Sequence, residues 1–425
     1  MGKLGYPCAL AAATKHDVVG YDVSPHAKEI LRTRRYPHRE LRAQDLLEET
    51  ALRVVDTVDE AVRHAEIVFV AVQTPHQPRF EGTERMPEDR ADFDYGSLRE
   101  AVGQVAEAAA RLEKRVTVAV ISTVLPGTMR REIYPILNEW TLFAYSPLFI
   151  AMGETIPNYL NPEFVLLGVD ANRTGGREAA DAVREVYGTL IPNVKIEEMS
   201  VASAELCKVF YNVFLGQKIV VANALMEIAH KTGANCDEVT RALAKATDRV
   251  ISPRYMRGGM GDGGACHPRD QIALSWLARK LDLSRDIFSD MILARESQTE
   301  WLADICCELA AKRKMGIVVL GKAYKSGTNL TIGSPATLLK NILDERDGAQ
   351  VEQWDPHVDP PRVFSEPGVF IIATDHPEFY PEGALIRGVP KGTGWVRYPA
   401  GSVVVDPWGF MPDRLDVEVV RVGRA

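Results

Sequence analysis

Between residues 258 and 270 the chain gathers residue types suited to chemistry at a carbonyl. Five glycines fall within residues 258–264, and Cys266, His267, Arg269 and Asp270 follow at once. Glycine reaches backbone conformations closed to other residues and lets the main chain come close to a ligand. A deprotonated cysteine is a strong nucleophile, and an aspartate nearby can position or deprotonate a water. The same composition also describes a Gly-rich surface turn beside a buried thiol, because free cysteine usually behaves as a small hydrophobe. The segment by itself leaves both readings open.

The rest of the chain supplies elements able to position such a loop. At the start stand Gly2-Lys3-Leu4-Gly5, a helical stretch to about residue 15, and a strand-like run 16–22 that ends in Asp22. A dinucleotide-binding unit needs a strand, G-x-G-x-x-G, a helix, a second strand and an acid for the ribose hydroxyls. Gly2 and Gly5 fit the second and third glycines and Asp22 the acid, whereas the first glycine and first strand are not in this sequence. Two further apolar runs, 67–72 and 117–121, lead into Gln73-Thr74-Pro75 and Ser122-Thr123-Val124-Leu125-Pro126-Gly127. Buried parallel strands look like this where they deliver ligand-contacting loops, although plain loops are the competing reading. The charged stretch 76–95 reads as a mobile surface loop. A strand ending at Tyr145-Ser146-Pro147, another at 163–168, a helix at 174–187 and an edge strand at 194–196 close the first domain near residue 198.

From Ser200 to about Lys231 there is no proline, and apolar residues recur with helical spacing, which predicts one long helix capped by Gly233. Glu205, Lys208 and Asn212 lie on one face of it. That face reads either as a solvated stripe or, given the glycine-cysteine loop, as a surface turned toward a substrate. Two or three shorter helices are expected up to about Cys307. Strand signals return at 315–321, before Trp354-Asp355-Pro356, at 369–374 and at 402–406, with a helix at 335–343. The expected architecture is α/β: two Rossmann-like, doubly wound parallel sheets joined by a long central helix and a helical dimerisation core. The expected division is 1–198, 199–307 and 308–425.

Composition narrows the partners. The net charge is −8 without a basic block, which argues against nucleic acid. The six cysteines show no CxxC or zinc-like spacing, so no metal site is expected, and reduced thiols in a cytoplasm suit the pattern. No uninterrupted apolar run approaches the length of a membrane span, so no membrane is expected as a partner.

Six motifs in order make the chain resemble the nucleotide-sugar 6-dehydrogenase family, which includes UDP-glucose, GDP-mannose and UDP-N-acetylmannosamine dehydrogenases. They are Val72-Gln73-Thr74-Pro75, Ser122-Thr123-Val124, Glu205-Leu206-Cys207-Lys208 with Asn212, and Gly263-Gly264-Ala265-Cys266-His267-Pro268-Arg269-Asp270. Leu320-Gly321-Lys322-Ala323-Tyr324-Lys325 and Trp354-Asp355-Pro356 complete the set. The resemblance implies NAD as cofactor, held by Gly2, Lys3, Leu4, Gly5, Asp22, Thr74, Pro75, Ser122 and Thr123. It also implies a nucleotide-sugar substrate, a homodimer or higher homo-oligomer, and two oxidations, alcohol to aldehyde and aldehyde to uronic acid. In that scheme Cys266 is the nucleophile that carries a thioester, Lys208 and Asn212 steady an oxyanion, Asp270 handles water, and Thr123 stands near the nicotinamide. Arg249, Tyr255, Gly263, Gly264 and Lys325, with Lys208 and Asn212, would contact the substrate.

The chain departs from the family at defined places. Leu148 follows Ser146-Pro147 where the family carries a glutamate, Arg269 replaces a lysine, and Asn329, Leu330 and Ile332 replace an acid pair and an arginine. Two alternatives therefore stand beside the main reading. One is a dehydrogenase that stops at the aldehyde or takes an unusual substrate; the other is an impaired paralogue that binds nucleotide sugar as a partner subunit. The incomplete fingerprint carries its own expectation, that the natural chain starts upstream of Met1. Genomic sequence immediately 5′ of codon 1 is expected to encode an in-frame apolar strand ending in glycine, and its absence there would refute that expectation.

Overall fold

The apolar runs become strands, sorted into two compact units, Met1–Lys218 and Ile219–Ala425, each with its own sheets. This computed structural model describes the chain except residues 39, 76–90, 152, 253–257, 265–266, 347–349, 387, 415 and 424–425, and except the side chains of 216, 219, 223, 267, 269, 270 and 273. Most of the expected surface loop 76–95 therefore lies outside the described residues.

In the first unit β1 (Val19–Gly20) and β2 (Arg53–Val54) form a parallel pair. β3 (Ile67–Val70), β4 (Val116–Val120), β5 (Thr141–Tyr145), β6 (Val165–Val169) and β7 (Ile196–Ser200) form a five-stranded sheet in sequence order. Side chains alternate between its faces with period two. Val116, Val118, Val120, Phe143, Tyr145 and Leu166 face one core, which the helix Gly96–Arg111 covers with Leu98, Val102, Val105 and Ala109. Ala119, Leu142, Ala144, Val165 and Leu167 face the other, which Gly5–Ala12 and Gly176–Leu190 cover. Burial of both faces explains why these strands read as unbroken apolar runs.

The structure corrects several expectations. β5 and β6 pair antiparallel, so the sheet is mixed: the connection between them holds only the short helix Thr155–Leu160, and β6 returns beside β5 in the opposite sense. The strand expected over 16–22 shortens to two residues, because β1 is paired on one side only. Among the described residues no strand bridges β1 and β3. The edge strand lies at 196–200 rather than 194–196.

The helix Val201–Thr232 forms as expected, and Gly233 follows it at φ +78°. Its entry depends on Gly168 of β6, where a Cβ would stand 2.9 Å from Ala204 Cβ and 3.1 Å from Val201 Cα. By length and composition this helix is apolar enough to cross a membrane, which corrects the reading of uninterrupted runs: polar residues such as Asn212 and Lys218 interrupt the run while the average stays high. Glu205 and Lys208 are buried near the start of the helix, whereas its apolar stretch is not buried among the described residues.

The second unit opens with the rest of that helix, then Cys236–Ala244, His267–Lys280 and Ile287–Arg313, the last much longer than the short helices expected. β8 (Ile317–Leu320), β9 (Val351–Trp354), β10 (Val369–Ile372), β13 (Val403–Asp406) and β14 (Glu418–Arg421) form an all-parallel sheet, ordered β14-β13-β10-β8-β9. The short antiparallel pair β11 (Leu385–Ile386) and β12 (Val389–Pro390) stands apart from it. Helices Ile287–Arg313 and Pro335–Asp344 cover one face. The other is filled by aromatic side chains from irregular chain, among them Phe379, Tyr380, Tyr398 and Phe410.

Two glycine substitutions separate packing from backbone freedom. Gly168→Leu is expected to overpack the helix–sheet contact and destabilise the first unit by about 1–3 kcal/mol. Gly188→Ala, in a helix with no atom within 4 Å of the added Cβ, is expected to be neutral or to stabilise by about 0.5–1 kcal/mol. Urea midpoints of both variants against the parent check the pair.

Candidate active site

The turn before the first helix has the features a dinucleotide requires. Gly2 sits at φ +40° with nothing near its missing Cβ. Gly5 opens the helix, and a Cβ there would stand 3.1 Å from that of Ala71, just past β3, so glycine permits this helix–strand approach. Lys3 is exposed, while Leu4 packs on the first core. Asp22 follows β1, and its carboxylate accepts the amides of Ser24 at 2.8 Å and Gly2 at 3.1 Å and lies 3.0 Å from the Met1 ammonium. Partial burial alone would raise this carboxyl; the hydrogen bonds and the ammonium outweigh it and hold the group below the usual carboxylate range. A permanently ionised acid beside a glycine turn fits a ribose–pyrophosphate moiety.

Two strand-end loops are pinned beside this turn. Thr74 Oγ1 donates to the Thr123 carbonyl and Ser122 Oγ to the Val72 carbonyl, each at 2.6 Å. Thr123 is thereby held half-buried, and Pro75 stays exposed.

The long helix does not present its three polar residues alike. Glu205 is 1% exposed and accepts the amides of Gly127 at 2.5 Å and Met129 at 2.7 Å. Burial raises its carboxyl, and the two amides recover only part of that shift. One turn on, Lys208 is 7% exposed, with its ammonium 4.9 Å from the centre of the Phe149 ring. Desolvation lowers Lys208 below the ordinary lysine range, slightly offset by Cys207. Asn212 is exposed. Sequence reasoning missed that Glu205 anchors a loop; the available signal was a carboxylate in an apolar helix, which burial obliges to find donors. Phe149 also touches Phe164 and Tyr211, with ring centres at 4.9 and 4.4 Å. Its neighbour Leu148 packs on the first core, in apolar surroundings that include Ile150, Tyr159, Phe164 and Val165.

In the second unit the glycine loop is fastened from both ends. Asp262 pairs with Arg295, whose Nε lies 3.0 Å from the carboxylate and 2.8 Å from the Asp262 carbonyl. A Cβ on Gly263 would stand 2.7 Å from Pro335 Cδ, and Gly264, at φ +89°, donates its amide to the Gly333 carbonyl at 3.3 Å. The Tyr324 ring presses on Gly264, and the exposed Lys325 ammonium lies 5.5 Å from that ring. The loop that leads into Cys266 and the loop that carries Lys325 are thus in contact. Arg249 is exposed in the turns after Cys236–Ala244. Cys266 and Tyr255 lie outside the described residues, as does the side chain of Asp270, whose backbone belongs to His267–Lys280.

Comparison with known proteins identifies the family and the fold. Residues 1–191 match the model for the NAD binding domain of the UDP-glucose/GDP-mannose dehydrogenase family, and residues 202–295 match that for its central domain. Among similar proteins, a GDP-mannose 6-dehydrogenase of Azotobacter vinelandii is 27% identical, over 97% of this chain and 96% of its own. A UDP-glucose 6-dehydrogenase of Rickettsia bellii is 27% identical over 73% and 68%. The crystal structure of a GDP-mannose dehydrogenase from Pseudomonas aeruginosa, a ternary complex, shares the fold with a TM-score of 0.81 at 23% identity, covering 98% of both chains. With both family models in register over about two thirds of its length, the chain belongs to the UDP-glucose/GDP-mannose dehydrogenase family, the NAD-dependent nucleotide-sugar 6-dehydrogenases.

Proposed function

We propose that the protein oxidises C6 of a nucleoside-diphosphate hexose, first from alcohol to aldehyde and then from aldehyde to uronic acid. NAD⁺, when held by the Gly2–Gly5 turn, Asp22 and the strand-end loops at Thr74 and Thr123, would supply the hydride acceptor, with two NAD⁺ consumed in succession. The chain's own groups do the rest. In the first step the C6 hydroxyl releases its proton to water as the hydride departs. In the second, the Cys266 thiolate adds to the aldehyde carbon, loss of hydride leaves a thioester, and water displaces the thiol to give the acid. Cys266 directly precedes the helix His267–Lys280 in sequence, a setting that favours thiolate. Asp270 positions or deprotonates the water, Thr123 faces the nicotinamide end, and Arg249, Tyr255, Gly263, Gly264 and Lys325 contact the substrate. Exposed Phe210, Val213, Phe214 and Val221 of the long helix are read as a self-association surface within the central piece 199–307, in a homodimer or larger homo-oligomer. The described cysteines stand free, as suits a reducing cytoplasm.

Lys208 carries the proposal. Among the described residues no carboxylate lies within ion-pair distance of this buried ammonium, and the aromatic face of Phe149 is its near neighbour. Burying an unpaired charge is expensive, and an oxyanion that develops at the same place offsets that cost during the reaction. Asn212 is its partner in this role.

Leu148 favours a second reading, in which the reaction stalls after the aldehyde or at the thioester. An acid that handles the hydrolytic water contributes about 10²–10⁴-fold, and the surroundings of Leu148 are apolar.

A panel of nucleotide sugars that includes GDP-mannose and UDP-glucose tests both. Two NADH per sugar is expected for full oxidation and one for release of aldehyde; none with any sugar overturns the proposal. Intact-protein mass spectrometry on the same mixtures is expected to show an adduct that Cys266→Ser abolishes and Leu148→Glu shortens. Acid formation by Cys266→Ser at the parental rate would remove Cys266 as nucleophile.

Lys208 gives a pH signature. A lowered lysine loses its proton at a lower pH than an ordinary one, so kcat is expected to fall as pH rises through that value. Stability moves the other way, because the cost of burying the charge is present below the lowered value and is relieved above it. Lys208→Met is expected to reduce kcat about 10²–10³-fold, lose the alkaline limb and leave the melting temperature unchanged or higher. A pH–rate profile for each protein reads the difference.

A further inference from the structure

In the second unit three side chains that the dehydrogenase chemistry does not use converge at the carboxyl ends of β9 and β10. We infer that His357, His376 and Glu378 form a binding site for one divalent transition-metal ion, zinc being the best match to two imidazoles and a carboxylate. One donor atom from each lies within 4.8 Å of the other two. Glu378 Oε1 and His357 Nε2 are 3.2 Å apart, close to the ~3.4 Å edge of a tetrahedron with zinc bonds of about 2.0–2.1 Å. The two imidazole rings stand 4.6 Å apart, centre to centre.

The surroundings have the form of a metal site. His376 is fully buried, and its Nε2 faces Asp355 Oδ2 at 3.2 Å. The Asp355 carboxylate also accepts the amides of Lys322, Ala323 and His357, which fix its place. With Nε2 turned to Asp355, Nδ1 is the ring nitrogen left for an ion, which would displace the Gly327 amide that Nδ1 accepts at a long 3.3 Å. A carboxylate fixing the tautomer and orientation of an imidazole is the usual outer support of a metal-binding histidine.

Charge points the same way. Glu378 Oε2 is buried with no hydrogen-bond partner among the described residues, a costly state for a carboxylate oxygen. Asp355 and Glu378 bring two negative charges, since Lys322 is matched by Asp359 at 2.7 Å. A dication balances them. His357 and Glu378 are 35% and 19% exposed at the side chain, so small rotations of these two close the set around an ion, with water as fourth ligand. No spacing motif announces the site because its donors come from the ends of two strands.

The test uses the full chain, stripped with chelator and dialysed against zinc, with metal counted by mass spectrometry. One equivalent is expected in the parent protein, and at least tenfold weaker binding in both His357→Ala and Glu378→Gln with unchanged circular dichroism. Cobalt(II) in place of zinc is expected to give visible ligand-field bands without the near-ultraviolet band of thiolate ligation. Absence of a stoichiometric equivalent, its retention in both variants, or a thiolate band would each overturn the site. Should the variants unfold, X-ray absorption at the zinc edge of the parent protein decides, with histidine nitrogen and oxygen supporting the assignment and sulfur overturning it.

Discussion

The carboxylate of Glu205 is the constraint on which the first unit depends. It is buried at the start of a thirty-two-residue helix and takes the amides of Gly127 and Met129 from the loop beyond β4. A carboxylate so placed needs donors. Two backbone amides supply them, and their own valences are met in return. Gly127 makes the geometry possible at φ +88°, and Gly168 lets the helix come near enough to β6. The loop clamped in this way contains Thr123, whose carbonyl receives Thr74. One ionisable group thus holds in register the helix that bears Lys208 and the loops expected to meet the cofactor.

Glu205 and Lys208 are three residues apart on one helix face, a spacing at which opposite charges on a surface helix commonly pair. Here each is committed elsewhere. Desolvation acts on both, raising the acid and lowering the base, and neither is a principal cause of the other's shift. The separation matters for chemistry. A lysine neutralised by its own helix would have little left for an incoming anion, whereas one held against Phe149 keeps its field available. The cost of that arrangement is borne by a unit whose two cores are otherwise densely apolar.

Both sheets were legible in the sequence where both faces of a strand are buried, as at Val116, Val118 and Val120 or at Val369 to Ile372, because such strands have no polar positions to confuse the pattern. The long helix and the glycine turns were legible for equally local reasons. What escaped was non-local. The antiparallel return of β6 depends on a connection whose path carries no signature. β14 is half-exposed and carries Glu418 and Arg421 at its ends, so it looks like ordinary polar chain. Glu205 could be placed on a helix face, but its partners lie 76 and 78 residues away. The same limit hid the histidine pair, whose members belong to different strand ends.

The glycine loop shows how local freedom and distant packing combine. Gly264 needs its positive φ, yet the tighter requirement is contact: the Tyr324 ring lies 2.9 Å from where its Cβ would be, and the Gly333 carbonyl accepts its amide. Any side chain at 263 or 264 would push this loop off the one carrying Lys325. Leu330 and Ile332, by contrast, are exposed on the chain between Lys325 and Gly333, where a change of side chain leaves these contacts untouched. Side chains at 330 and 332 can therefore vary without disturbing the contacts that fix Gly263 and Gly264.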